Sequence, residues 1–143
     1  MRRYAEVLYK TISMGSSQMR IPLVIMAVWA VIFIIPILVY GLSSAVTDLL
    51  PPGDSPIRFL LGVAVSKFGT ALAFVLIYNL APDPQKGQWL VYAGLWVVMF
   101  AIGEVGQAIG PDYSWEEVIL GVISEAIYFP ASGLVVSWMI QRQ

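Results

Sequence analysis

Lys67, Glu104 and Glu125 stand inside stretches of sequence otherwise apolar enough to lie in lipid. An ionisable group in hydrocarbon costs at least ~2.5–3.5 kcal/mol, so three of them mark a place for which the rest of the chain must compensate. One lysine and two glutamates can make a buried ion pair with one acid left over. That acid must carry a proton, hold a cation or meet a basic partner. The helical rise places Lys67 and Glu125 each about ten residues, or ~15 Å, from the expected outer ends of their helices, and Glu104 about six residues, or ~9 Å. Matched depth predicts a Lys67–Glu125 pair near the midplane, with Glu104 above it toward the outside.

Small and polar neighbours extend the pattern. Gly121, Glu125, Tyr128 and Ser132 share one helical face. Glu104 and Gln107 share another, flanked by Gly103, Gly106 and Gly110, while Gly62, Ser66 and Thr70 form a ridge beside Lys67. Small residues let helices approach closely in lipid, and polar ones bond across the interface. The expected buried site is therefore Lys67, Glu104, Gln107, Glu125 and Tyr128, with the eight small residues packing around it. Pro36 and Pro130 are expected to kink their helices. Pro130 frees the carbonyl of Ala126, next to Glu125, where it could help hold a cation or a water, although neighbouring helices commonly re-satisfy such carbonyls.

Four apolar segments position these residues, over about 22–46, 57–80, 88–109 and 118–140. Each meets the roughly 20 helical residues that a ~30 Å hydrocarbon core requires. The chain has 143 residues, 59% hydrophobic and 12% charged, with a mean hydropathy of +0.79. The segments are apolar nearly all round, unlike the one-sided stripe of a soluble helix. The expectation is one transmembrane domain over 1–143, an all-α up-down bundle of four helices with antiparallel sequential neighbours. Residues 1–19 read as a short amphipathic interfacial helix, with Tyr4, Val7, Leu8 and Ile12 against Arg2, Arg3, Glu6 and Lys10, broken at Gly15-Ser16-Ser17. Ser114 followed by Glu117 is a capping-box pattern that should open the fourth helix.

Arg2, Arg3, Lys10 and Arg20 precede the first segment against Glu6 alone, which predicts a cytoplasmic N-terminus and, after four crossings, a cytoplasmic C-terminus. The first apolar run is longer than the ~7–15 residues of a signal-peptide core and reads as a retained anchor. Tyr78, Trp89 and Trp138 fall near the expected inner interface, and Tyr113 and Trp115 near the outer one. Trp29 and Trp96 are deeper and require a packing role.

The chain has no cysteine and no histidine, which removes thiolate and imidazole metal sites, thiol nucleophiles and the usual general base. No nucleophile elbow is present, and Gly103-Glu104-Val105-Gly106 lacks the preceding strand of a nucleotide site. We therefore expect no enzyme, no cofactor, no metal and no nucleic-acid partner. Tyr40-Gly41 closing the first segment, and Ile127-Tyr128 with small residues and Trp138 in the fourth, give a profile that resembles small bacterial four-helix membrane families. That resemblance carries over no site residue and implies a bacterial cytoplasmic membrane. The expected function is an accessory or assembly subunit of a homo- or hetero-oligomeric membrane complex, and the alternative is an ion- or proton-coupled transporter or channel using Lys67, Glu104 and Glu125. The expected partners are the bilayer, further membrane subunits or copies of this chain, and a small cation or proton.

Overall fold

The described residues form four helices and no strand: α1 Arg2–Ser43, α2 Pro56–Leu80, α3 Trp89–Ala108 and α4 Trp115–Gln141. This computed structural model describes residues 2–43, 55–82, 87–111 and 113–141, and side chains between Arg20 and Ile140. Every helix contains a stretch long and apolar enough to cross a membrane, namely Arg20–Ser43, Pro56–Leu80, Trp89–Ala108 and Trp115–Ile140. Residues 44–46 of the first expected segment, the turn at 51–54 and most of the turn at 81–87 lie outside the described residues, as do the side chains expected to make an amphipathic face over 1–19.

Local chemistry sets the helix ends. Pro56 occupies the first turn of α2, where its missing N–H needs no partner, and Phe59 N–H donates to Ser55 O at 3.1 Å. At the other end Pro82 disfavours a helical Ala81, which is extended at φ −64°, ψ 144°. The capping box at α4 forms as the sequence predicts. Glu117 N–H donates to Ser114 Oγ at 3.2 Å, and Ser114 N–H donates to Glu117 Oε2 at 2.7 Å. The expected break at Gly15-Ser16-Ser17 does not occur, because α1 runs unbroken from Arg2. A glycine in a helix costs only about 1 kcal/mol relative to alanine, and no proline adjoins these residues to remove a hydrogen bond.

Sequence neighbours pack antiparallel. Gly121 of α4 faces Glu104 of α3, and Gly133 faces Ala93 and Trp89. Between α2 and α3, Phe74 meets Trp96, and Tyr78 meets Tyr92. α4 lies between α1 and α3 and is closest to α3, whereas α2 leans chiefly on α1. Large rings fill the wider space between α2 and α3. The Phe74 ring lies 4.8 Å from Tyr92, 5.4 Å from Trp96 and 5.7 Å from Phe129, and Tyr92 Oη–H donates to Phe74 O at 2.5 Å. The deep tryptophans thus find packing roles. Trp96 belongs to this ring cluster, and Trp29 donates its indole N–H to Ala64 O at 2.9 Å while stacking on Phe33.

Gly133 is the tightest apolar point between α3 and α4. A Cβ there would stand 3.2 Å from Ala93 Cβ, from Trp89 Cε3 and from Trp89 O. Gly133→Leu should therefore lower stability by about 1–3 kcal/mol through overpacking. Gly103→Leu, whose Cβ would meet nothing within 4 Å, serves as the control. Thermal unfolding in mild detergent measures both, and equal losses would contradict this packing.

Candidate functional site

The site forms where α3 and α4 come together near the end of the bundle at which α1 finishes and α4 begins. Gly121 leaves a notch in α4 that the Glu104 carboxyl fills. A Cβ at position 121 would lie 2.7 Å from Glu104 Cδ and 2.9 Å from its Oε2. One turn further along α4, Glu125 is only 2% exposed, and the Glu104 carboxyl lies close enough to act on it. Two ionised carboxylates are acceptors only, so this contact becomes a hydrogen bond when one proton lies between them. Oε2 of Glu125 is fully buried and has no hydrogen-bond partner among the described residues, an arrangement costly enough to call for a proton or a bound cation.

Two tyrosines extend the pair toward the helix ends. Tyr113, in the short connection before α4, donates its hydroxyl to Glu104 Oε2. Tyr40, near the end of α1, lies close to Tyr113 and donates to Glu117 O at 3.3 Å. Tyr113 lies outside the apolar spans. Burial, followed by its contact with the Glu104 carboxyl, pushes its pKa well above the ordinary tyrosine value, so it stays a proton-bearing hydroxyl.

Lys67 does not make the expected ion pair. Among the described residues no carboxylate oxygen lies within 4.0 Å of it, and its ammonium donates to Tyr128 Oη at 3.4 Å. It also lies 5.1 Å from the Tyr128 ring centroid and 5.8 Å from that of Phe100, within cation–π range. Tyr128 follows Glu125 by three residues and Phe100 precedes Glu104 by four, so the ammonium rests about one turn deeper than the carboxyls. The cause is helix spacing. α2 barely approaches the α4 backbone while α3 presses against it, so the fold brings acid to acid and leaves the lysine on the rings. Lys67 also borders a cleft of about 360 Å³ along α2, lined by Arg58, Phe59, Gly62, Val63, Ser66 and Lys67.

The other expected residues divide. Gln107 is exposed and stands outside the cluster. Gly62, Gly103 and Gly106 face open space, so they make no close helix contact, and Gly110 meets only Gln107 O. Ser66 is exposed, and Thr70 bonds Ser66 O within its own helix at 3.2 Å. Gly121 and Ser132 are buried, and Ser132 Oγ has no partner. Pro36 and Pro130 both lie inside helices that continue past them. Tyr40, Tyr113 and Gly133 escaped the sequence reading of the site. Tyr113 had a visible signal, a hydroxyl only nine residues after Glu104 across a short turn.

If the notch holds Glu104 in place, Gly121→Ala should destabilise the protein by about 1–3 kcal/mol. The loss should shrink in a Glu104→Ala background, where the methyl no longer strikes a carboxyl. A double-mutant cycle on thermal stability reads this directly, and strict additivity would mean the two residues do not touch. Comparison of the chain with family models, with curated proteins and with solved structures finds no match.

Proposed function

We propose that this chain is an integral membrane protein that handles protons or a small cation at the Glu104–Glu125 carboxyl pair, as an ion- or proton-coupled transporter or channel. Its four apolar helices cross the bilayer as an up-down bundle, with both termini on the cytoplasmic side of a bacterial inner membrane. The observation that carries the functional reading is the buried, unpartnered Oε2 of Glu125 facing a second carboxyl inside the bundle. A charged residue kept only for assembly would face outward toward a partner subunit, and Glu125 faces inward. The ring cluster of Phe74, Tyr92, Trp96 and Phe129 packs the bundle on the other side of the polar residues, so passage across the bilayer requires these rings to part. Lys67, held on Tyr128 and Phe100, supplies a nearby positive charge that disfavours the accumulation of metal cations.

The assembly reading keeps one supporting observation. Ala93 is the sole buried residue of α3, while Leu90, Val91, Leu95, Val98, Met99 and Ile102 are exposed, an apolar surface that lipid or another subunit would cover.

Proteoliposomes loaded with a pH-sensitive dye separate the two. The protein is expected to pass protons down an imposed gradient, and Glu125→Gln should return the rate to that of protein-free liposomes. A parent protein no faster than empty liposomes would remove the transport reading and leave assembly.

A further inference from the structure

We infer that Tyr40 and Tyr113 form the proton relay that connects the Glu104–Glu125 pair to the end of the bundle where α4 begins. The inference rests on the carboxyl pair being a proton-exchange site, and it names the species as the proton and the residues as its route.

A relay needs hydroxyls that both donate and accept, set in contact and ending on the exchanging group. Tyr113 Oη–H already donates to Glu104 Oε2, and Tyr40 lies beside Tyr113, close enough for the two hydroxyls to act on each other. Tyr40 in turn reaches Glu117 O in the first turn of α4, where Ser114, Trp115 and Glu116 are exposed. In the other direction the rings of Trp96, Phe100 and Phe129 pack tilted and edge-on against one another and offer no hydroxyl. The groups facing the carboxyl pair are Tyr40 from α1, Lys67 from α2, Tyr113 from the connection before α4, and Glu117 and Tyr128 from α4. Of these, Tyr113 bonds the pair directly and Tyr40, beside it, bonds the first turn of α4. Lys67 bonds Tyr128 rather than either acid.

The transfer balances without any redox partner. The Tyr40 hydroxyl turns from Glu117 O toward Tyr113, and the Tyr113 proton moves to Glu104 Oε2 as Tyr113 Oη takes the proton of Tyr40. Tyr40 is then reprotonated by water at the Glu117 end, which leaves hydroxide to the bulk, and the pair gains one proton.

Infrared difference spectroscopy of the full-length protein in nanodiscs after a pH jump tests this. The carboxylic C=O band reports protonation of the pair, and Glu125→Gln assigns it. Tyr113→Phe should leave the final amplitude of the band unchanged while slowing its rise about a hundredfold, the lower range for a positioned proton-transfer group. Tyr40→Phe should slow it in the same sense and guards against a folding defect in the first variant. An unchanged rate in both variants overturns the relay while leaving the functional reading in place. A changed amplitude with an unchanged rate makes Tyr113 a clamp on Glu104 and also overturns it. Absence of the band from the parent protein overturns the functional reading itself and the relay with it.

Discussion

The close approach of α3 to α4 is the constraint on which the rest of this structure depends. Two glycines of α4 permit it, and they do different work. Gly133 lets the backbones meet at Ala93 and Trp89, whereas Gly121 opens a recess that a carboxyl enters. Without a hydrophobic drive between helices in lipid, such packing depends on small residues and on polar contacts at the seam. The apolar contact at Gly133 holds the two helices in a register that then leaves Glu104 opposite Glu125.

That register explains why the charged residues sort as they do. A lysine between two acids would ordinarily neutralise one of them. Here α2 stands off from α4, and the long Lys67 side chain finds rings and a phenol hydroxyl instead. Two acids in contact away from water oppose double ionisation, because burial and like charge both disfavour a second negative charge. The aromatic cluster spans the gap between α2 and α3 and packs against the polar residues from the other side.

Legibility differed sharply between elements. Helix existence followed from segment length and hydropathy, and helix ends from Pro56, Pro82 and the Ser114–Glu117 box, all local effects. The continuity of α1 through Gly15-Ser16-Ser17 was misread, because a glycine and two serines weaken a helix without removing any hydrogen bond. Glu125 and Tyr128 were legible as interior residues from their shared face. Gln107 was not, because sharing a face with Glu104 says nothing about how far each side chain reaches around the helix.

The sequence by itself therefore determined an all-helical chain with four apolar segments, their ends and the three anomalous charges within them. Each of these depends on hydropathy and backbone chemistry within a few residues along one helix. Only the tertiary structure decided who meets whom. The choice between an acid–base pair and an acid–acid pair turned on interhelical distance and rotation. Those are set by Gly121, Gly133 and the bulk of Phe74, Tyr92, Trp96 and Phe129 on different helices. Depth along an axis can be counted from sequence, but the facing partner across a bundle cannot, because it is fixed by the joint packing of side chains far apart in the chain.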